Sequence, residues 1–393
     1  MFTNLPTPTL DPILSLSVAY RSDPRPTKVD LGIGVYKNSQ GETPIMSAVQ
    51  KAQDIVVNEQ KTKSYVGLAG CEEFNREMTN LLLSGTSAVD RVTAIQTPGA
   101  SGALRMLGDL LKVANPNTTV WLSNPSYVNH KPVMEAAGLK VRFYHYFNPV
   151  TKSVDTEKML DDLSQAGKDD VVLLHGCCHN PTGADIDFEA WQHITMLALT
   201  KGFTPFVDVA YQGFGDGLEQ DAQGLRYMAD TVPEMLLTVS CSKNFGLYRE
   251  RTGAAIVIGQ QQQHAENAKG KLLTLARSTY TMPPDHGAAL VKTVLQDRQL
   301  TAEWKEELSQ MQQRLVSLRQ SLCTELRTTH QTDHFDFIEG HKGMFTVLGF
   351  SQDQMTQLRE HYGIYGVGDG RINIAGLTEQ DIPYVAKAMV NVV

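Results

Sequence analysis

Phe203-Thr204-Pro205-Phe206-Val207-Asp208-Val209-Ala210 is an apolar run broken by a single carboxylate, and Leu236–Ser240 and Ala254–Ile258 follow it in the same style. Continuous apolar runs of this length suit strands covered on both faces, not the alternating pattern of a half-exposed sheet. Working outwards, Val92–Thr97, Thr119–Asn124, Val141–Tyr146 and Val171–His175 have the same character. Between these runs Gly102–Val113, Asp155–Gln165, Phe188–Thr200 and Glu219–Asp230 read as helices. The alternation predicts an α/β fold, a large three-layer α/β/α domain around a mostly parallel sheet.

Beyond Thr301 the periodicity changes. Trp304, Leu308, Met311, Leu315, Leu318, Leu322 and Leu326 recur at steps of three and four and predict one long amphipathic helix. Short strands over Phe335–Ile338, Met344–Leu348 and Arg371–Ile374, and a closing helix near Ile382–Val392, then predict a smaller α+β domain. At 393 residues the chain exceeds the usual size of a single core, which agrees with two domains.

The formal net charge of −8, with no basic tail or Lys/Arg-rich run, argues against nucleic acid as a partner, because phosphate neutralisation needs concentrated basic surface. The five cysteines, odd in number and without CxxC spacing, suit a reduced compartment better than a disulfide framework. The first twenty residues contain no Lys or Arg and no unbroken apolar core, so no secretory signal is expected. No stretch approaches the roughly 20 apolar residues that span a bilayer. A cytoplasmic protein without membrane contact is expected.

Three places carry chemistry. Asp208 and Tyr211 fall at the carboxyl end of a strand, where ligands gather in open α/β sheets. Alone, Asp208 reads as a solvated loop carboxylate. The next strand ends in Ser240-Cys241-Ser242-Lys243 and is followed by Arg251, so a carboxylate, hydroxyls, a lysine and an arginine converge at neighbouring strand ends. That set suits a phosphorylated aldehyde with a basic ring nitrogen. Thr97-Pro98-Gly99-Ala100-Ser101-Gly102 is a small-residue strand-to-helix turn, where free N–H groups favour phosphate, although many such turns bind nothing. It is not GxGxxG, and no GxxxxGK[ST] occurs. His175-Gly176-Cys177-Cys178-His179 invites a zinc reading, but adjacent residues of an extended chain point to opposite sides, so no metal is expected there.

Asn180-Pro181-Thr182-Gly183, Asp208-x-Ala210-Tyr211-Gln212-Gly213-Phe214, Ser240-x-Ser242-Lys243-Asn244-Phe245-Gly246 and Glu250-Arg251-x-Gly253 together resemble the class I pyridoxal-phosphate aminotransferases, in their aspartate/aromatic amino acid branch. The similarity runs from Leu31-Gly32-Ile33-Gly34-Val35-Tyr36 to Arg371-Ile372-Asn373-Ile374-Ala375-Gly376, nearly the whole chain. The resemblance implies fold type I of pyridoxal-phosphate enzymes, with an arm over 1–11, a small domain over 12–43 and 311–393, and a cofactor-binding domain over 44–310. It implies that Lys243 carries pyridoxal 5′-phosphate as a Schiff base and moves the substrate Cα proton. Asp208 would pair with the ring nitrogen, backed by His130 and His175, while Tyr211 and Asn180 would reach the ring oxygen. Arg251, Ser240, Ser242, Ser101 and the Ala100 amide would hold the phosphate. Arg371 resembles the arginine that grips the substrate α-carboxylate, with Gly34 and Phe345 lining the pocket. Arg277 and Tyr65 resemble residues that cross from a second copy to a distal carboxylate and to the phosphate, which implies a homodimer. Two departures stand out. Tyr127 occupies a place where the family usually stacks tryptophan on the cofactor, and Gly99-Ala100-Ser101 replaces a frequent double glycine.

For the substrates, Arg277 points to glutamate/2-oxoglutarate as one pair. Val35, Lys37 and Thr43 follow the aspartate-type pattern, and a cationic Lys37 favours a dicarboxylate. Ser101 and Met282 favour neither substrate, or lean the other way. The expected reaction exchanges the amino group of aspartate with 2-oxoglutarate, with secondary activity on phenylalanine and tyrosine. An aromatic aminotransferase, a pyridoxal-phosphate β-lyase or decarboxylase, and an inert cofactor-binding protein are the alternatives. The last two have no use for both Arg277 and Arg371.

Overall fold

The computed structural model describes residues 2–5 and 12–393. Of the arm expected over 1–11, residues 2–5 are described, with a 3-10 turn at Phe2–Asn4, and the rest lies outside the described residues. Seven strands form the central sheet: β1 (Val92–Pro98), β2 (Thr119–Asn124), β3 (Lys140–His145), β4 (Asp170–His175), β5 (Thr204–Val209), β6 (Met235–Ser240) and β7 (Thr252–Ile258). Their order is β1-β7-β6-β5-β4-β2-β3. Only β7 runs antiparallel, to β1 on one side and β6 on the other. The expected α/β fold with a mostly parallel sheet is therefore the fold observed.

This topology gathers one edge. β1, β2, β4, β5 and β6 all end there, and antiparallel β7 begins there, with Gly253 paired to both Thr97 and Ser240. Residues just before β7 therefore share an edge with residues just after β1 and β6, which brings Arg251 to the ends of those strands. Along the edge His175 is paired with Asp208, and Asp208 with Thr238. Every residue of β6 and β7 is buried, as continuous apolar runs require.

Helices cover the sheet. α1 (Gly99–Ala114) follows β1 directly and buries Ala103, Leu104, Met106 and Leu107. α2 (Phe188–Lys201) starts where the Asp187 side chain accepts the Ala190 amide and stops at left-handed Gly202. α3 (Arg298–His330) is the long helix read from the heptad-like spacing. Its residues Leu300, Trp304, Leu308, Met311 and Leu315 pack into the main core. Leu318, Leu322 and Leu326 pack into a second core with Val29, Leu31, Ile364, Ile372, Val385 and Met389.

Two expected elements differ. Phe335–Ile338 is a turn leading into the short helix Phe337–Gly340, not a strand. Phe335 and Ile338 are the fully buried pair, a spacing of three that suits a helical turn. The helix expected from Glu219 begins at Gln223 instead. The Asp221 carboxylate is engaged by the Gly213, Gly215 and Asp216 amides, which holds that segment as a loop.

Candidate active site

A cavity of about 210 Å³ opens at the gathered edge, lined by Lys243, Asp208, Tyr211, Asn180, Tyr127, Gly34, Ala100, Ser101, Ser240, Ser242 and Arg251, with His175, Cys177 and Tyr248. Lys243 sits on the turn after β6, where the Gly246 amide donates to the Lys243 carbonyl at 3.0 Å. Its ammonium lies 4.8 Å from the Tyr211 ring centroid and forms no ion pair among the described residues. Burial pulls this ammonium down to about 8, against the opposing pull of Asp208 and with the help of Arg251.

Asp208 accepts from His130 Nε2 at 2.9 Å and from the Thr238 hydroxyl at 2.5 Å. Burial pushes its carboxyl up, but the His130 and Thr238 hydrogen bonds outweigh burial and hold it below the ordinary range. Behind His130 the chain continues in one consistent proton order. The Asn180 amide donates to His175 Nδ1 at 3.4 Å, so His175 Nε2–H donates to Ser126 Oγ at 3.3 Å. The Ser126 hydroxyl then donates to His130 Nδ1 at 2.9 Å, leaving Nε2–H for Asp208. Burial drives His175 down to about 3, which keeps it neutral as this order requires.

Ala100, Ser101, Ser240, Ser242 and Arg251 line the same cavity as Asp208 and together could form an anion cup. α1 begins without a side-chain cap, so the N–H groups of its first turn are free to meet an anion. The Arg251 guanidinium reaches the Ser242 hydroxyl at 3.5 Å and the Tyr248 carbonyl at 3.1 Å. A Cβ on Gly99, whose φ is +69°, would sit 2.7 Å from Arg251 Nη2, and one on Gly253 would sit 2.8 Å from the Ala100 nitrogen. Both glycines keep the backbone close to the cup.

Arg371 closes the other side. It is 4% exposed and donates to Asn180 Oδ1 at 3.3 Å and to the Gly32 carbonyl at 3.1 Å, with its guanidinium 4.5 Å from the Phe345 ring. Among the described residues no carboxylate lies within ion-pair distance of it, Asp369 acting only from farther off, and its Nε has no hydrogen-bond partner. A buried guanidinium without a counter-charge is costly unless a ligand supplies one. Phe345 also packs edge-on to Tyr211 and lies 3.1 Å from where a Gly34 Cβ would stand. Phe345 is held in turn by buried Arg319, which donates to the carbonyls of Ile338, Lys342, Gly343 and Phe345.

The expected residues thus converge, with two exceptions. Tyr65 is 87% exposed and Arg277 is exposed at the end of the helix Gln262–Thr279; neither lines the cavity. Sequence reading missed Thr238, Ser126, Tyr248 and Arg319. Thr238 becomes visible only once β5 and β6 are known to be neighbours in register, and Arg319 reads as one more charge on a long helix.

Residues 26–389 match the profile of the aminotransferase class I and II family. The chain is 45% identical over the full length of both chains to an aromatic-amino-acid aminotransferase of Paracoccus denitrificans. It is 43% identical, also over both full lengths, to an aspartate aminotransferase of Salmonella typhi. It superimposes at a TM-score of 0.97 on an aromatic-amino-acid aminotransferase of Burkholderia pseudomallei covalently bound to pyridoxal phosphate, 35% identical over 100% of this chain and 99% of that one. The chain belongs to the class I and II aminotransferases.

Pyridoxal phosphate is the cofactor of this aminotransferase, and the cavity fits it by donor set. An amine of depressed basicity, a buried ionised carboxylate and an uncapped helix start beside an arginine match its aldehyde, ring nitrogen and phosphate. The lysine is kept at a cost to stability. In the cofactor-free aminotransferase, Lys243→Met should raise unfolding stability below pH 8 by about 3 kcal/mol, from the drop of the ammonium to about 8. Between pH 8 and about 10.4 the unfolded chain holds the extra proton, so wild-type stability rises with pH and the difference closes. Urea unfolding of both proteins at pH 7, 8, 9 and 10 measures it; a difference that stays flat across that range would contradict the desolvation account.

Proposed function

We propose that the protein exchanges the amino group of aspartate with 2-oxoglutarate, giving oxaloacetate and glutamate, and takes phenylalanine and tyrosine at the same site. The observation that carries this reading is buried Arg371, a guanidinium with no carboxylate in ion-pair contact among the described residues, hydrogen-bonded to Asn180 in the wall of the cavity that holds Lys243 and Asp208. An amino-acid carboxylate supplies what it lacks, in the bidentate geometry that arginine offers.

When bound, the cofactor supplies an electron sink that makes the substrate Cα–H acidic. The chain's own residues do the rest. Lys243 anchors the cofactor, and its depressed basicity leaves Nζ able to take the Cα proton at neutral pH and return it. Asp208 stays ionised to face the ring nitrogen, held in place by Thr238 and the His130–Ser126–His175 relay. Tyr211 and Asn180, 3.5 Å apart, orient the ring oxygen. Arg251, Ser240, Ser242, Ser101 and the Ala100 amide take the phosphate, and Tyr127 stacks on the ring. Gly34 and Phe345 shape the substrate end. We infer that 12–43 and 311–393 form the small domain, closing on 44–310 to exclude water.

Exposed and without a partner among the described residues, Arg277 and Tyr65 support a homodimer in which each reaches the other copy's cavity, Arg277 to the distal carboxylate and Tyr65 to the phosphate. The aromatic half of the specificity has its own support. Lys37 lies 3.6 Å from the Asp30 carboxylate, so this cation is largely neutralised and favours a dicarboxylate less than its charge alone suggests. The similar identities to an aromatic and to an aspartate enzyme point the same way. Measured with 2-oxoglutarate, kcat/KM for aspartate should equal or exceed that for tyrosine and phenylalanine, with all three above background. An aromatic preference of tenfold or more would overturn the aspartate assignment, and pyruvate or amine release would replace transamination altogether.

A further inference from the structure

Cys177 and Cys178 lie beyond the end of β4, where the chain is no longer extended: Cys178 has φ +52°, in the left-handed region that non-glycine residues seldom enter. This turn defeats the expectation that adjacent cysteines face apart. Their sulfurs and an Asp221 carboxylate oxygen lie within 4.8 Å of one another, and the Cys178 thiol donates to the Tyr211 carbonyl at 3.9 Å. A tetrahedral ion with metal–sulfur bonds of about 2.3 Å holds its sulfurs about 3.8 Å apart, so small side-chain rotations close the set.

The surroundings are ordered as a ligand shell requires. Asp221 Oδ2 accepts the Gly213 and Gly215 amides at 2.8 and 3.0 Å, and Oδ1 accepts the Asp216 amide at 2.7 Å. That occupies three of about four lone-pair positions and leaves one on Oδ1. A Cβ at Gly215 would stand 2.5 Å from Oδ1, so glycine keeps that oxygen accessible. Asp185 accepts the Cys178 and His179 amides at 2.6 and 2.7 Å and fixes the backbone that carries the thiols. A second cavity of about 440 Å³, lined by Cys177, Asp221, Asp185, Asp216 and Lys342, provides an entry path and room for a water as fourth ligand. Cys177 and His175 line this cavity and the Lys243 cavity alike, so the pair forms part of the wall between them.

We propose that Cys177, Cys178 and Asp221 form a binding site for a soft or borderline divalent cation of the cadmium or zinc type, distinct from the Lys243 site. Two sulfurs and one oxygen select such ions over magnesium or calcium. The balance is one M²⁺ taken up by two thiols with release of two protons, both sulfurs becoming thiolates and no electron changing hands.

Titration of the holoenzyme with cadmium chloride alone tests this. The expected result is one ion per chain, two protons released, and an ultraviolet thiolate-to-cadmium absorbance that Cys178→Ser abolishes. Asp221→Asn should weaken binding at least tenfold, while Cys71→Ser and Cys323→Ser leave it unchanged. Absence of the band, or a band that survives in Cys178→Ser, overturns the proposal. Should Cys178→Ser fail to fold, the ¹¹³Cd resonance of the wild-type complex decides. A shift of the two-sulfur class supports the site, and an all-oxygen or single-sulfur shift overturns it.

Discussion

Lys243→Ala is expected to lower transaminase turnover by about four orders of magnitude while leaving the fold intact, since the residue acts as both anchor and general base. The side chain makes no ion pair among the described residues, so its removal breaks no internal network. It also removes a desolvated ammonium, which favours a stable variant. Pyridoxal phosphate should still bind through Arg251 and the start of α1, but without a covalent link. Mass spectrometry after borohydride reduction should show the cofactor on the wild-type chain and not on the variant. Turnover within tenfold of wild type would remove Lys243 from the mechanism.

Asp208→Ala should cost roughly two to three and a half orders of magnitude in kcat/KM, because truncating one partner of a buried charged pair costs about 3–5 kcal/mol and each 1.4 kcal/mol is tenfold. The loss is double. The ring nitrogen would lose its anion, and the His130 Nε2–H and the Thr238 hydroxyl would lose their acceptor. Asp208→Asn separates the two effects, since its carbonyl still accepts one hydrogen bond but carries no charge. It should fold as the wild type by circular dichroism and still lose at least a hundredfold. An Asp208→Asn enzyme within fivefold of wild type would mean that the carboxylate serves packing alone.

Much of this site is legible in the chain because chemistry at strand ends leaves local signatures. Asp208, Tyr211, Lys243 and Arg251 suggest a ligand together, because they fall at the ends of neighbouring strands, and Asn180 gains its role from the resemblance. Arg371 is legible only by resemblance, since nothing local distinguishes it from a surface arginine; its burial comes from packing under Phe345 against Asn180 and Gly32. Lys37 shows the reverse. As a sequence it reads as a free cation, and the fold sets it beside Asp30. Pairing between residues seven apart in an irregular segment has no periodicity to betray it.

The sequence by itself determined the layered α/β architecture, the long helix α3 and the strand ends that carry the cofactor chemistry, because burial on two faces and helical spacing are written in consecutive residues. Only the tertiary structure decided what depends on neighbours distant in the chain or on one backbone angle. Reversed β7 brings Arg251 to the cup, the β5–β6 register gives Asp208 its Thr238 partner, and the left-handed turn at Cys178 sets two thiols side by side. Strand order, register and a single positive φ arise from how segments meet, and no local pattern of residue types encodes them.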